Sequence, residues 1–205
     1  MDVKQFKKLP IIGILRGIEE SIIGPLIEAI SSSGLKTIEI TMNTKGAGAL
    51  IRKAVRLSGK RLTIGAGTVV DKETLSIALD SGATFIVMPV LVDEVVSHCV
   101  KNRIPVFPGA LTPKEVSEAW RSGATMVKVF PSGVFGPAYF KELKGPFNDI
   151  ELLACGGVTP ENMKDYFANG ASAIAFGASV FRREWLAKKD FTSIGSAIKK
   201  FVMAI

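Results

Sequence analysis

Ala124-Thr-Met-Val-Lys-Val-Phe-Pro131 places a lysine, Lys128, where a buried strand would carry an aliphatic side chain. Val127, Val129 and Phe130 supply the β-branched and aromatic content of a strand, and Pro131 ends it. A fixed ammonium inside such a strand costs roughly several kcal/mol unless it is paired or gives up its proton. Two readings are open for this stretch alone. A structural lysine would snorkel or form an ion pair. A desolvated lysine, its pKa lowered by up to about 3–5 units, would be a free amine able to condense with a carbonyl.

Outward from this stretch, short apolar runs alternate with helical patterns from Leu9 to the end, giving eight strand–helix pairs. Strands are expected to begin near Ile11, Thr37, Leu62, Phe85, Pro105, Met126, Leu152 and Ala173. Helices are expected to start near Glu19, Lys45, Asp71, Val92, Pro113, Pro137, Pro160 and Val180, with a short N-terminal helix before them and an extra C-terminal one from about Asp190. Strands alternating with helices imply parallel pairing and right-handed crossovers. At about 25 residues per unit, this predicts an α/β chain folded as a compact (β/α)8 TIM barrel. The runner-up is a doubly wound open sheet, but no Gly-x-Gly-x-x-Gly opens a helix after the first strand. The glycines Gly34, Gly82, Gly123 and Gly170, spaced by 48, 41 and 47 residues, each end a helix before an even-numbered strand, so the chain reads as four repeated double units. Leu111-Thr112-Pro113 and Val158-Thr159-Pro160 both look like a threonine cap followed by proline at the first helical position. No linker interrupts the pattern, and residues 1–205 are read as a single domain.

Composition narrows the chemistry. Mean hydropathy is high at +0.31, but no apolar run reaches the roughly 18–20 residues of a membrane span, and no targeting segment opens the chain. The expected location is cytoplasmic, without membrane contact. Cys99 and Cys155 are far apart and form no disulfide framework or metal knuckle. His98 is the only histidine and lies on a helical pattern, so zinc sites built on two or three imidazoles and most histidine triads are excluded within the chain. An oxygen-ligand magnesium site stays open, though no carboxylates cluster for one. The net charge of +7 is spread over many segments. Its densest part, Arg52-Lys53, Arg56 and Lys60-Arg61, has no interleaved aromatics, which fits a solvated helix face that helps collect small anions better than a nucleic-acid surface.

Side-chain alternation sorts the polar strand residues. Thr37, Glu39 and Thr41 share one face of the second strand and Ile38 and Ile40 the other, so Glu39 points into the barrel. The same parity turns Lys128 inward on the sixth strand and brings Arg16 to the rim after the first. Strands two and six lie opposite each other in an eight-stranded barrel, and active sites of this architecture lie at the strands' C-terminal ends. An interior Lys128 facing an interior Glu39 is a pairing that packing alone would not choose; the bland alternative is a buried ion pair that only holds the barrel. Around the rim come Gly65-Ala-Gly67-Thr68, Met88-Pro89, Phe107-Pro108-Gly109, Ala154-Cys155-Gly156-Gly157 and Phe176-Gly177-Ala178-Ser179. The last two follow strands seven and eight, where glycines expose backbone N–H groups to a phosphate.

In order and spacing, Ile14-Leu-Arg16-Gly, Ile38-Glu39-Ile, Gly65-Ala-Gly-Thr68-Val, Met88-Pro89, Pro108-Gly109, Lys128-Val-Phe130-Pro131 and Gly156-Gly157-Val resemble the 2-keto-3-deoxy-6-phosphogluconate (KDPG) and 4-hydroxy-2-oxoglutarate aldolases over nearly the whole chain. The resemblance implies a class I, Schiff-base aldolase, a carbon–carbon lyase of Entner–Doudoroff carbohydrate metabolism that makes pyruvate, needs no cofactor or metal and is a homotrimer. It implies that Lys128 forms the Schiff base and Glu39 is the general acid/base. Thr68, Pro89 and Phe130 would line the keto-acid pocket, and Gly156, Gly157, Gly177 and Ser179 would hold the phosphate of a small anionic phosphorylated keto acid. One position departs: many gluconate-type members carry a carboxylate-binding arginine where this chain has Asn43. The segment around Arg16, Asn43 itself and Lys128-Val-Phe-Pro-Ser-Gly-Val-Phe-Gly-Pro137 look more like the 6-phosphogalactonate branch, with Arg16 taking the carboxylate or phosphate role. A phosphosugar isomerase or synthase barrel, and a phosphate-ligand-binding barrel with an inert Lys128–Glu39 pair, are the other classes.

Overall fold

The computed structural model describes residues 1–205 and shows a closed ring of parallel strands wrapped by helices. Its strands are β1 (Ile11–Leu15), β2 (Thr37–Thr41), β3 (Thr63–Gly67), β4 (Ile86–Val87), β5 (Val106–Phe107), β6 (Gly109–Ala110), β7 (Val127–Val129), β8 (Leu152–Cys155) and β9 (Ala173–Phe176). The helices are α1 (Val3–Phe6), α2 (Ile23–Ser32), α3 (Ala47–Ser58), α4 (Lys72–Asp80), α5 (Asp93–Lys101), α6 (Pro113–Arg121), α7 (Ala138–Lys144), α8 (Met163–Ala168), α9 (Arg183–Ala187) and α10 (Phe191–Met203).

The strand order β5-β4-β3-β2-β1-β9-β8-β7-β6 leaves β5 and β6 at its two ends, and these are consecutive in the chain. They are two pieces of the single fifth strand expected from the sequence. The break falls at Pro108, which has no N–H to donate, while its carbonyl still accepts from the Lys128 N–H at 2.8 Å. Eight barrel strands therefore appear as nine segments, and the ring closes through Pro108. All pairings are parallel.

The repeated glycines behave as their spacing implies. Gly34, Gly82, Gly123 and Gly170 have φ of +91°, +93°, +97° and +97°, the left-handed exit from a helix into the next strand. Thr112 caps α6 in a full capping box with Glu115, with Pro113 at the first turn. The second threonine–proline pair does not start a helix. Thr159 and Asn162 instead exchange hydrogen bonds of 2.8 and 3.3 Å in a turn, and α8 begins only at Met163. The helix expected from Val180 is likewise short, covering only α9, and α10 completes the wrapping by packing on α2.

Alternation along the strands separates two apolar layers. Ile11, Leu15, Ile38, Ile40, Val127, Val129 and Ile174 face outward into the core shared with the helices. Ile12, Phe85, Val87, Phe107, Met126, Leu153, Cys155, Ala173 and Ala175 fill the barrel interior. Phe6 of α1 joins this inner layer and plugs the barrel floor. Its ring meets Phe107 edge-on at 6.2 Å, Phe107 meets Phe85 at 5.9 Å, and the Met1 ammonium donates to the Thr84 carbonyl at 3.1 Å. With the floor filled by aromatic rings, the polar interior residues are left at the opposite end, where β1, β7, β8 and β9 run out into their loops.

Candidate active site

Glu39 and Lys128 are both interior and buried, 2% and 6% exposed. Each is enforced by its neighbours in sequence: the outward Ile38 and Ile40, and the outward Val127 and Val129, are fully buried against helices, so a one-residue slip would put four aliphatic side chains inside and two charges in the core. No ion pair within 4.0 Å includes either residue. The inert-pair reading therefore lacks its contact. Burial pushes the Glu39 carboxyl above the ordinary glutamate range, and the positive charges of Lys128 and Arg16 pull it part of the way back. A buried carboxyl without a contact partner, in the field of two cations, can give and take a proton without first breaking a salt bridge.

Gly67, at the end of β3, explains how Glu39 fits. Thr41 pairs with Gly67 in the ladder, and a Cβ on Gly67 would come within 2.1 Å of Glu39 Oε1. The missing side chain is the space the carboxylate occupies. Gly65, one step lower, gives the same kind of room to the Phe85 ring.

A cavity of about 870 Å³ opens over this end of the barrel, with Lys128, Arg16, Phe130, Cys155, Gly156 and Gly177 among the groups on its wall. Lys128 Nζ stands 5.1 Å from the centre of the Phe130 ring. Cys155, inward on β8, is one wall residue missed in the sequence as a site residue. Its parity with Leu153 was the available signal. Burial pushes its thiol up to about 11, with Lys128, Glu39 and Arg16 all acting on it, so it stays a neutral thiol beside the lysine near neutral pH.

The rim residues expected from the sequence divide into two groups. Arg16 follows β1 and its Nη2 donates to Thr68 Oγ1 at 3.4 Å; Thr68 itself is held at φ +56°, an uncommon conformation for a threonine that occurs here at the mouth of a barrel. The loop carrying Arg16 is tied to β2 through Thr44, whose hydroxyl accepts from the Gly17 N–H at 2.9 Å and lies 3.0 Å from Thr41 Oγ1. Pro89 lies on the neighbouring rim, where Gly109 has no side chain and so admits its carbonyl closely. Asn43 stands apart. It is exposed and makes no side-chain hydrogen bond, and like Glu39, Thr68 and Pro89 it is not among the residues that line the cavity.

Gly156, Gly157, Gly177 and Ser179 all line the same cavity. The N–H groups of Gly157, Gly177, Ala178 and Ser179 donate to no protein acceptor, so the cavity lining carries four free donors available to an anion. Arg183 and Lys189, not singled out in the sequence, also line the cavity and add cations to it. Across the molecule, no three His, Cys, Asp or Glu side chains gather as metal ligands, and no helix is long and apolar enough to cross a membrane.

Comparison with known proteins points to the same chemistry. A sequence model of KDPG and KHG aldolase matches residues 3–197. The chain is 33% identical over 199 residues to 2-dehydro-3-deoxy-6-phosphogalactonate aldolase of Escherichia coli (strain K12), covering 97% of both chains. It is 39% identical over 168 residues to 2-dehydro-3-deoxy-phosphogluconate aldolase of Pseudomonas aeruginosa, covering 80% of this chain and 74% of that one. A solved structure described as native KDPGal superposes with a TM-score of 0.89 at 34% identity, over 96% of this chain and 94% of the other. An interior lysine and glutamate at the open end of a floor-plugged barrel, and a match along nearly the whole sequence, have one common explanation: the chain belongs to the KDPG and KHG aldolase family of class I carbon–carbon lyases.

Proposed function

We propose that residues 1–205 form one aldolase domain that cleaves 2-keto-3-deoxy-6-phosphogluconate to pyruvate and glyceraldehyde 3-phosphate, and that it also accepts 4-hydroxy-2-oxoglutarate. The observation that carries this is the inward, unpaired Lys128 sharing one cavity with a cradle of free backbone N–H groups. Lys128, once it has given up its proton, adds to the C2 ketone, and loss of water gives an iminium. Glu39 takes the proton of the C4 hydroxyl, the C3–C4 bond breaks, and its electron pair moves to the iminium to form an enamine. Glyceraldehyde 3-phosphate leaves. The proton returns from Glu39 to C3 of the enamine, and water releases pyruvate and regenerates the amine. Arg16 and Thr68 face the keto-acid carboxylate, Pro89 and Phe130 wall the methyl side, and Gly156, Gly157, Gly177 and Ser179 take the phosphate.

The galactonate epimer at C4 is a second reading. The 33% identity to the galactonate enzyme over 97% of both chains favours it. Comparing kcat/KM on the two C4 epimers decides between them. The assembly is read as a homotrimer, supported by the exposed Val134 and Phe135 beside β7. Light scattering on the eluting protein tests that reading.

The mechanism itself is tested by incubating the protein with pyruvate, reducing with borohydride and locating the added mass. The adduct is expected on Lys128 and is expected to vanish in Lys128→Ala. An unmodified Lys128 with aldolase activity intact would overturn the mechanism.

A further inference from the structure

Resting on the phosphate reading above, we infer that Ser132 is a positioning residue of the phosphate cradle, acting through the Gly156–Gly157 peptide. Ser132 lies in the turn just after the strand that carries Lys128, is fully buried, and donates its hydroxyl to the Gly156 carbonyl at 2.8 Å across 24 residues of sequence. The Gly156–Gly157 peptide is trans, since the chain's one cis bond is elsewhere. In a trans peptide the C=O and the following N–H point in opposite directions. Drawing the Gly156 carbonyl toward Ser132 therefore turns the Gly157 N–H away from that turn, and this N–H is among those without a protein acceptor.

The neighbouring peptide is held the same way, as Asn162 Nδ2 donates to the Gly157 carbonyl at 3.0 Å. The two latches differ in accessibility, Ser132 being buried and Asn162 bonding at the surface. Gly156 and Gly157 sit at φ +90° and +78°. A peptide between two glycines is the easiest kind to flip, because neither flank has a Cβ to oppose the rotation. Close packing adds to the hydroxyl's effect: a Cβ on Gly133 would lie 3.0 Å from Gly157 Cα, so the Ser132 turn is seated directly on the glycine loop. Without the hydroxyl, the Gly157 donor has alternative orientations to leave before it can meet a phosphate, and binding weakens by the cost of selecting one.

The test is the condensation of pyruvate with D-glyceraldehyde 3-phosphate and with D-glyceraldehyde, on the full-length protein and on Ser132→Ala. One net hydrogen bond corresponds to about threefold to tenfold. The expected result is that Ser132→Ala raises KM for the phosphorylated aldehyde by that factor more than KM for the unphosphorylated one. Inhibition by inorganic phosphate should weaken in parallel, and pyruvate should still be trapped on Lys128 by borohydride. Equal changes with both aldehydes, or loss of pyruvate trapping, would show that Ser132 serves the Lys128 turn instead and would overturn the inference. A wild-type protein that does not distinguish the aldehydes removes the phosphate reading and this inference with it. A wild-type preference that survives unchanged in Ser132→Ala sinks the inference alone. If Ser132→Ala does not fold, Ser132→Cys decides the matter, since it nearly keeps the volume and retains only a weak donor.

Discussion

Gly67→Ala tests whether the space beside β3 exists for the carboxylate of Glu39. The added Cβ would stand 2.1 Å from Glu39 Oε1 and 2.6 Å from its Cδ, and real Cβ contacts almost never fall under 3.0 Å. The carboxylate must therefore retreat by about 0.9 Å to restore an allowed contact. Gly67 is not at positive φ, so alanine meets no backbone strain there, and the displaced atom is the end of a flexible side chain. The cost should appear in catalysis more than in folding. A misplacement of about 1 Å in a catalytic group is worth up to ~100-fold in rate, and loss of a general acid/base about 10²–10⁴-fold. We expect Gly67→Ala to lower kcat by about 100-fold with a small change in Tm, while pyruvate is still trapped on Lys128. The assay is steady-state cleavage coupled to pyruvate detection, run also on Glu39→Gln and on the double variant. If Gly67 acts through Glu39, adding Gly67→Ala to Glu39→Gln should cost almost nothing further. Full additivity of the two losses, or near-normal turnover in Gly67→Ala, would refute the reasoning.

Four further outcomes follow from the geometry. The acid limb of kcat/KM against pH should lie above the ordinary glutamate range, because burial raises the Glu39 carboxyl, and should be lost in Glu39→Gln. On stability the sign is as follows: the native carboxyl keeps its proton after the unfolded one, near 4.5, has lost it, so its contribution is full below that value and falls as pH rises through the raised native pKa. Urea unfolding across this window should be flatter in Glu39→Gln than in the wild type. Phe6→Ala should cost about 3–5 kcal/mol in urea unfolding while leaving kcat near normal, since the plug lies at the end of the barrel opposite the cavity; a loss under about 1 kcal/mol would mean the floor repacks. Thr44→Val removes the acceptor of the Gly17 N–H and should raise the pyruvate KM about threefold to tenfold, with Thr44→Ser restoring it, because the loop carrying Arg16 loses its tie to β2.

Much of the architecture is legible in the sequence because it rests on short-range rules. Period-two alternation around Glu39 and Lys128 set their direction, since either slip would bury charge among the helices. The left-handed glycines at Gly34, Gly82, Gly123 and Gly170 marked helix exits for a reason local to one residue. Helix starts were less secure: the Thr112-Pro113 and Thr159-Pro160 pairs look alike, yet only the first has an acidic residue placed to close a capping box, while the second is drawn into a turn by Asn162. The split fifth strand was locally coded in Pro108, but its consequence, a ring closed through that residue, depends on partners from both sides.

Parity could say that Lys128 and Glu39 enter the same space; it could not say that they stop short of a contact pair, because that depends on side-chain reach across the barrel. Gly67, Cys155 and Ser132 gain their meaning from atoms 28, 27 and 24 positions away, Glu39, Lys128 and Gly156 respectively. Asn43 was expected in the pocket from the family resemblance alone, and its side chain is exposed. The chain's periodicity and turn residues thus specify the barrel, its open end and the inward direction of Lys128 and Glu39, for these follow from backbone sterics and the hydrophobic effect acting over a few residues. Which side chains make room, hold a peptide or reach the substrate is settled by contacts between strands distant in sequence, and those exist only once the ring has closed.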